Sequence, residues 1–272
     1  MSGTKLYCVI GQPLGHSLSP LIHNQAFAET GTEGVYLAFP QTEEHLAAFF
    51  EAMRILPISG CNITLPFKVR SMDYVDRVSE RARRVGAINT VYWQDGALVG
   101  ENTDVTGFMA PLLGRKFRQA LVLGAGGVSR AALAALQELG LERICLANRS
   151  HDRALELAAE FGTDCVPWEQ RGEVNCDLVV NATSLGMKGA REDDTPYEAG
   201  FFAGRTGLAY DIVYTPEQTR FLREAAAAGW QTQSGVAMFV EQARAAFALW
   251  TGVPMPAESA YAAVRRALAE RG

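Results

Sequence analysis

Short apolar runs alternate along the chain with longer amphipathic stretches, and turn residues separate the two. Short apolar runs are typical of buried strands, whereas apolar residues at a spacing of three to four are typical of helices. The first part of the pattern predicts strands at 6–10, 35–39, 59–64, 86–93 and 97–99, and helices from Pro20, with Ser19 as the cap, and at 43–55, 78–85 and 105–113. The second part predicts strands at 120–123, 143–147, 163–166, 178–181 and 207–212, and helices at 128–136, 216–228, 238–250 and 257–269. Because strands alternate with helices, we expect an α/β fold with largely parallel sheets.

The strand at 120–123 leads directly into a glycine-rich turn and then into a helix. The turn is Gly124-Ala125-Gly126-Gly127-Val128, and helix-forming residues continue to position 136. Free N–H groups at a helix N-terminus, together with glycines that allow close approach, form a site for a pyrophosphate. The dinucleotide fingerprint G-x-G-x-x-G requires glycine at position 129, where this chain has Ser129. A plain tight strand–helix turn is therefore the alternative interpretation.

The end of the next strand indicates which dinucleotide would bind. An acidic residue about 20 residues after the glycines usually holds the free ribose 2′-hydroxyl of NAD. This chain instead has Asn148-Arg149-Ser150, followed by Arg153. A guanidinium group binds a 2′-phosphate through paired hydrogen bonds, and positive charge is otherwise unfavourable in the first turn of a helix. The segment therefore predicts NADP rather than NAD, the alternative being two solvated arginines at a helix start.

Composition narrows the range of functions. The 272 residues are 48% hydrophobic, which is enough for two domains, and the net charge of −5 gives no basic footprint for nucleic acid. Neither the five scattered cysteines nor the four histidines have metal-ligand spacing. The chain shows no apolar leader segment and no apolar run long enough to span a membrane. We therefore expect a cytoplasmic protein that has no metal site and binds neither nucleic acid nor membrane.

Polar residues follow the predicted strands of the first part of the chain. Ser17 and Ser19 come after the first strand, Lys68 after the third, and Asp104 after the hairpin. Open α/β sheets bind ligands beyond the carboxyl ends of their strands, and two hydroxyls there could donate to both oxygens of a carboxylate. The structural alternatives are helix capping by Ser19, with Pro20 at the first helical position, a solvated Lys68, and an N-cap role for Asp104.

Taken in chain order, these motifs resemble those of the shikimate dehydrogenases. The resemblance covers nearly the whole chain, and although each block alone is weak, eight blocks in register are specific. The blocks are G-Q-P-L-G-H-S-L-S-P at 11–20, N-I-T-L-P-F-K at 62–68, G-A-I-N-T at 86–90, G-E-N-T-D at 100–104, G-A-G-G at 124–127, N-R-S-x-x-R at 148–153, N-A-T-S-x-G-M at 181–187, and Gln242 ahead of L-W-T-G at 249–252.

The resemblance implies reduction of 3-dehydroshikimate to shikimate with NADPH, a step of aromatic amino-acid biosynthesis. It implies that Lys68 is the general acid/base and that Asp104 acts beside it. The residues that it implies for substrate binding are Ser17, Ser19, Thr64, Asn89, Tyr214 and Gln242. Those that it implies for cofactor binding are Glu80, Gly124, Ala125, Gly126, Gly127, Val128, Asn148, Arg149, Ser150, Arg153, Ile212 and Gly235.

The expected architecture is two α/β domains with a cleft between them. Residues 1–105 would form a substrate-binding domain with a mixed or parallel sheet, completed by the C-terminal helices in 237–272. Residues 106–236 would form a Rossmann-type NADP-binding domain. The sequence leaves the oligomeric state open, and a homodimer is compatible with it.

Two positions depart from the family pattern. Ser150 stands where the family usually has threonine after Asn-Arg, and it keeps a hydroxyl for the phosphate. The family's D-G-x-G-M ahead of the last long helix is S-G-V-A-M at 234–238 here, so its second glycine is Ala237. We expect Gly235 to keep its role and cofactor affinity to be the property that deviates.

Two other functions fit parts of the pattern. One is a quinate/shikimate dehydrogenase that uses NAD, but the arginines of the 148–153 segment and the serine pair speak against it. The other is a non-catalytic NADP-sensing regulator on the same scaffold. Such a regulator could lose Lys68 or Asp104 without losing ligand binding, yet both residues are present.

Overall fold

Strands and helices alternate in the computed structural model, which describes residues 3–15 and 17–271. The strands in this part of the chain are β1 (Lys5–Gly11), β2 (Gly34–Pro40), β3 (Ile58–Ile63), β4 (Arg77–Val78), β5 (Thr90–Gln94), β6 (Ala97–Glu101), β7 (Gln119–Leu123), β8 (Arg143–Ala147), β9 (Asp164–Cys165), β10 (Leu178–Asn181), β11 (Leu208–Asp211) and β12 (Gln231–Gln233). The α-helices are α1 (Ser19–Thr30), α2 (Leu46–Ile55), α3 (Glu80–Val85), α4 (Thr103–Met109), α5 (Gly127–Glu138), α6 (His151–Phe161), α7 (Ala199–Phe202), α8 (Arg220–Ala227), α9 (Gly235–Thr251) and α10 (Ala257–Arg271).

The chain divides into two units, each built around its own sheet. One unit holds the described residues up to Thr106 together with Val240–Arg271, and the other holds Gly107–Phe239. The described strands form two six-stranded sheets. The predicted fold class, two α/β parts with one sheet each, is confirmed.

The sheet of the first unit is mixed, with the strand order β2-β1-β3-β5-β6-β4. β1 runs parallel to β2 and β3, whereas β5 is antiparallel to β3 and β6. The turn between β5 and β6 has positive φ at Asp95 (53°) and Gly96 (76°), as a tight hairpin requires. Ile10 pairs with Ile63 in register, so β1 and β3 end at the same edge of the sheet. The segments 12–19 and 64–68 both leave from that edge.

Helices from both ends of the chain complete the core of the first unit. α2 buries Phe49, Phe50 and Met53 in one apolar cluster with the sheet. The indole of Trp250 on α9 donates to the Val91 carbonyl oxygen over 3.0 Å. A Cβ at Gly60 would lie 2.4 Å from the Trp250 Nε1 atom, so only glycine at position 60 admits the indole. α10 packs against α1, where the Gln25 amide donates to the Ser259 hydroxyl over 2.5 Å.

His23 on α1 is enclosed by aromatic side chains. Its ring stacks on Tyr36 with 4.4 Å between centroids and 6° between planes, and Trp250 lies 5.2 Å away. Neither ring nitrogen has a hydrogen-bond partner among the described residues. Burial therefore lowers the pKa of His23 to about 3.

We expect His23 to make the protein less stable as the pH falls. Below pH about 6.5 the unfolded chain binds a proton on His23, whereas the folded chain stays neutral there until pH about 3. From pH 7 to pH 5 this residue alone should remove about 2 kcal/mol from the free energy of unfolding. Urea unfolding of the wild type and of His23→Leu at both pH values tests this. The difference between the two proteins should change by that amount, and a constant difference would contradict the expectation.

The sheet of the second unit is parallel throughout, with the order β12-β11-β10-β7-β8-β9. The ends of four strands are in register, because Leu123 pairs with both Ala147 and Asn181, and Asn181 pairs with Asp211. The loops that follow β7, β8, β10 and β11 therefore start at one edge. Aromatic residues fill the core on one side, among them Tyr197, Phe202, Phe221 and Trp230.

Neither Ser19, the predicted cap of the first helix, nor Asp104, for which capping was the alternative interpretation, is a helix cap. α1 begins at Ser19 itself, and Leu18 occupies the N-cap with helical φ and ψ of −91° and −1°. α4 begins at Thr103, which puts Asp104 inside the first turn. The side-chain oxygen of Asn102 takes the capping role, since it accepts from the Val105 N–H over 3.3 Å. The Ser19 and Asp104 side chains are thereby available for other contacts.

Other helix starts differ from the prediction because a capping residue sets the position at which the helix begins. Ser79 accepts from the Ala82 N–H over 3.0 Å, so α3 starts at Glu80, two residues later than predicted. Thr219 caps α8, which starts at Arg220 rather than at 216. The strands β4 and β12, with two and three residues, are too short to leave an apolar pattern and were not predicted.

The cysteines are core residues, as the sequence indicates. Cys8, Cys61, Cys145 and Cys176 are buried, Cys165 is half-buried, and all five are free thiols. Among the described helices, none combines the length and the apolar character that crossing a membrane requires.

Candidate active site

The geometry places Lys68 and Asp104 in direct contact. The segment 64–68 turns at the end of β3, and the buried Phe67 anchors it. The Lys68 carbonyl oxygen accepts from the Ile88 N–H over 2.9 Å, which fixes its backbone beside the loop that leads into β5. The Lys68 Nζ atom lies 2.5 Å from the Asp104 Oδ2 atom, and the two residues are only 8% and 6% exposed. Lys68 is thus no solvated surface group, and the structural alternative for it is wrong.

Asn89 holds the other side of the Asp104 carboxylate. The Asn89 side-chain amide donates to the Asp104 Oδ1 atom over 2.9 Å and to the Thr103 hydroxyl over 3.0 Å. The Asn89 side-chain oxygen in turn accepts from the Thr103 N–H over 2.7 Å. Both oxygens of Asp104 are therefore engaged, and the carboxylate has one fixed orientation toward the lysine.

A chain of buried polar groups leads from Asn89 back to the serine pair. The Asn62 side-chain amide donates to the Asn89 carbonyl oxygen over 3.2 Å and to the Thr90 hydroxyl over 3.0 Å. The Tyr36 hydroxyl donates to the Asn62 side-chain oxygen over 2.7 Å. The Ser19 side chain hydrogen-bonds to the Tyr36 phenol, whose pKa burial raises well above its usual value. The sequence alone indicates no role for Asn62 or Tyr36.

The remaining sequence-predicted residues of the first unit are arranged as follows. The Ser17 hydroxyl oxygen accepts from the Ser19 N–H over 3.3 Å, and the segment's His16 lies outside the described residues. Thr64 is half-buried beside Gly11, where a Cβ would lie 2.3 Å from the Thr64 methyl carbon. Gln242 is half-buried on α9. Thr64 and Gln242 thus share a unit with the lysine, and their contact with a substrate stays a prediction.

Glu80 is the predicted cofactor residue that lies in the first unit. It stands in the first turn of α3, with its side chain 78% exposed, and its carboxylate pairs with Arg84 over 2.7 Å. An exposed pair of this kind contributes little to stability, because water screens it. The carboxylate is therefore accessible to a ligand.

In the second unit the glycine turn has the predicted strand–turn–helix form. Gly124 has a φ of +114°, and a Cβ there would lie 2.8 Å from the Ala182 carbonyl oxygen. Among the described residues, and leaving out its chain neighbours, no atom lies within 4 Å of the place where a Cβ at Gly126 would stand, so the turn is open. Ser129, where the fingerprint has glycine, is fully buried, and its hydroxyl accepts from the Gly126 N–H over 3.1 Å. Ala125 and Val128 are half-buried beside these positions.

The loop after β8 exposes its basic side chains. Arg149, Ser150 and Arg153 are exposed, and the Asn148 amide donates to the Ser150 carbonyl oxygen over 2.9 Å. Within the described part of the chain, neither arginine has an ion-pair partner. Two unengaged guanidinium groups at a helix start suit a phosphate, and the open glycine turn suits a pyrophosphate. These residues fit NADP.

The loop after β11 carries the last predicted contacts. Ile212 and Tyr214 are half-buried, and the Tyr214 ring stacks on Phe239 with 4.8 Å between centroids. A Cβ at Gly235 would lie 2.2 Å from the Ile212 carbonyl oxygen, which explains the glycine there. Ala237 stands within the first turn of α9, where the backbone is helical and glycine is not required.

Family models match three stretches of the chain. The model for the shikimate dehydrogenase substrate binding domain matches residues 9–91. The model for shikimate/quinate 5-dehydrogenase matches residues 112–187, and the model for the shikimate 5′-dehydrogenase C-terminal domain matches residues 235–265.

Relatives and solved structures extend the similarity to nearly the full length. A shikimate dehydrogenase (NADP(+)) from Oleidesulfovibrio alaskensis is 48% identical over 268 residues, which are 97% of this chain and 96% of the relative. The shikimate 5-dehydrogenase from Thermus thermophilus, solved in complex with NADP(H) and shikimate, has a TM-score of 0.89 at 42% identity, over 97% of this chain and 99% of that one. A quinate dehydrogenase from Corynebacterium glutamicum in complex with NAD has a TM-score of 0.89 at 30% identity, again over 97% and 99%. This chain belongs to the shikimate dehydrogenase family.

Proposed function

We propose that this protein reduces 3-dehydroshikimate to shikimate with NADPH. The observation that carries the proposal is the buried contact of 2.5 Å between Lys68 and Asp104, where the chain leaves β3 and β6. A family member without catalytic function would have no need to keep a proton donor and its partner in this arrangement. Purified protein given shikimate and NADP should form NADPH, and absence of that product would contradict the proposal.

The serine pair is suited to the carboxylate of the substrate. Ser17 accepts from the Ser19 N–H, which leaves its own hydroxyl proton for an anionic oxygen. The Ser19 hydroxyl donates to the Tyr36 phenol oxygen, since the Tyr36 proton goes to Asn62, and it would turn to the substrate to become the second donor. Two neutral donors bind a carboxylate without placing a fixed positive charge beside Lys68. In this proposal Thr64, Asn89, Gln242 and Tyr214 contact other polar groups of the substrate.

Lys68 supplies the proton of the reduction. NADPH, when bound, provides a hydride for the keto carbon, and negative charge then develops on the keto oxygen. An ammonium group near that oxygen stabilises the charge as it forms and donates the proton that completes the hydroxyl group. Asp104 holds the lysine nitrogen in place and can accept a hydrogen bond from a neighbouring substrate hydroxyl. The neutral lysine then takes a proton from solvent before the next turnover.

The second unit provides the groups for NADP. The helix N-terminus at the start of α5 and the open turn at Gly126 would bind the pyrophosphate. Arg149 and Arg153 would bind the 2′-phosphate, with Ser150 and Asn148 beside them. Ile212 and Gly235 would lie against the nicotinamide part. We accordingly assign substrate binding to residues 1–105 with 237–272, and NADP binding to residues 106–236.

Replacing Arg149 by alanine should weaken the binding of NADPH but not that of NADH. A hydrogen-bonded contact between charged groups contributes about 1.5–3 kcal/mol, so we expect the KM for NADPH to rise about 10- to 100-fold. Arg143→Ala is a matched control, since Arg143 is an exposed arginine at the opposite end of β8 that pairs with Asp164. Equal losses for NADPH and NADH would contradict the assignment of Arg149.

The same assays separate the related activities. Rates with NADPH and NADH, and with shikimate and quinate, distinguish this proposal from an NAD-dependent quinate/shikimate dehydrogenase. The accessible arginines favour NADP. A cytoplasmic location and a homodimer stay predictions, which cell fractionation and sedimentation analysis would test.

A further inference from the structure

Asp211 is a buried carboxylate for which neither the motifs nor the proposed reaction gives a role. It is the last residue of β11 and has no exposed surface. Its register partner on β10 is Asn181, the first residue of the N-A-T-S-x-G-M motif. The residue that follows it is Ile212, and Tyr214 lies three positions on. Asp211 thus stands where two strand-end loops of the second unit begin.

Three donors from three different segments converge on this carboxylate. The Asn181 amide donates to the Oδ1 atom over 3.0 Å, and the Val213 N–H donates to the same oxygen over 2.9 Å. The Thr219 hydroxyl donates to the Oδ2 atom over 2.6 Å. Asn181 also donates to the Leu185 carbonyl oxygen over 3.0 Å, within its own loop. One side chain therefore joins the loop after β10, the loop after β11 and the start of α8.

The negative charge of Asp211 and the neutral donors around it are consistent with a carboxylate that fixes the backbone near it. All three partners are neutral donors, and such donors bind an ionised carboxylate more strongly than a neutral one. Burial raises the pKa of Asp211 to about 7, and the three hydrogen bonds oppose that rise. Burying a carboxylate costs free energy. A buried carboxylate that does not bind the substrate is therefore expected to have a structural role, such as holding a segment of backbone in place.

We propose that Asp211 is a positioning residue that holds the segment 212–214, and with it Ile212 and Tyr214, in the conformation that the reaction needs. The inference rests on the proposed function, because that function gives Ile212 its cofactor contact and Tyr214 its substrate contact. The segment has a second tether, since the Gly235 N–H donates to the Val213 carbonyl oxygen over 3.1 Å. Loss of Asp211 should therefore loosen the segment without unfolding the unit.

The test compares turnover with the binding of a cofactor fragment. Adenosine 2′,5′-bisphosphate carries the 2′-phosphate but lacks the nicotinamide. Its proposed site at Arg149 follows β8, and β7 and β10 separate β8 from β11 in the sheet. Asp211→Ala should lower kcat about 10- to 100-fold, because a small misplacement of reacting groups has effects of that size. The dissociation constant of the fragment should stay that of the wild type.

Three further variants test the positioning role of Asp211. Asp211→Asn retains an acceptor for Val213 and a side chain of the same shape, so it should recover most of the lost kcat. Thr219→Ala removes one of the three donors to Asp211 together with the cap of α8, and it should lower kcat less than Asp211→Ala does, again with unchanged fragment binding. Leu208→Val, at the other buried end of β11, is the control for a general loss of packing and should leave kcat unchanged.

The measured kcat and fragment binding separate a failure of the positioning role from a failure of the proposed function. If Asp211→Ala keeps the kcat of the wild type, or if it weakens fragment binding as much as it lowers turnover, Asp211 does not act by positioning this segment. If Asp211→Ala does not fold, the Thr219→Ala result decides in the same way. If the wild type itself fails to bind the fragment or to turn over shikimate, the proposed function fails instead.

Discussion

Replacing Lys68 by methionine should lower kcat by about 10²- to 10⁴-fold, the range typical of a lost general acid. Methionine keeps an unbranched side chain only one atom shorter than that of lysine, but it can neither donate a proton nor stabilise charge on the keto oxygen. The KM for the substrate should change much less than kcat, because the serine pair and the other polar contacts remain. Steady-state rates at saturating NADPH, together with circular dichroism of the variant, provide the measurement.

A matched control for this variant lies in the same unit. Lys5 is exposed at the start of β1, at the opposite end of the strand from the segment that leads to the serine pair. Lys5→Met should keep the activity of the wild type. If Lys68→Met folds and retains activity within about tenfold of the wild type, Lys68 does not donate the proton.

Replacing Asp104 by alanine should destabilise the protein and abolish most activity. The change leaves a lysine that is 8% exposed without its anionic partner, and it removes the acceptor of the Asn89 amide. Breaking a buried ion pair from one side costs about 3–5 kcal/mol, because one charge stays buried and uncompensated. Urea unfolding at neutral pH measures this loss of unfolding free energy.

The double variant Lys68→Met/Asp104→Ala shows whether the loss comes from the unpaired charge. With both charges removed, no buried ion lacks a partner, so the double variant should be more stable than Asp104→Ala alone. A double-mutant cycle then gives a coupling energy between the two residues. Additive losses of the two single variants would mean that the pair is not a coupled buried ion pair. Asp104→Asn, which keeps an acceptor for Asn89, should lose less stability than Asp104→Ala.

Much of the fold follows from the pattern of apolar residues. β8 spans 143–147 as predicted, and β1, β3 and β7 lie within a residue of their predicted ends. β1, β7 and β8 each contain a continuous apolar run with turn residues near its ends, which the hydrophobic pattern alone detects, whereas β3 also contains Ser59, Gly60 and Asn62. The sequence could not decide whether Ser19 and Asp104 cap helices, because a side chain that can cap a helix can equally bind something else. In both cases the neighbouring residue, Leu18 or Asn102, takes the cap position.

Only some residues of the site can be recognised from the sequence. Lys68, Asn89 and Asp104 could be named from their motifs, and the structure brings these three together. Tyr36 and Asn62 were given no role, although Asn62 begins the 62–68 motif, because an isolated polar residue within a strand has no period that would reveal its partner. The signal that would have found them is the burial of a polar side chain, which requires another polar group to satisfy it. That group lies on a different strand, so its identity depends on the sheet order.

Because α9 and α10 belong to the first unit, the order of synthesis on the ribosome affects how the two units fold. The hydrogen bonds from Trp250 to Val91 and from Gln25 to Ser259 join residues 159 and 234 positions apart. On the ribosome, all strands of the second sheet therefore emerge before the indole can occupy its place beside Gly60. The second unit can complete its folding as a nascent chain, whereas the first must wait for the later helices.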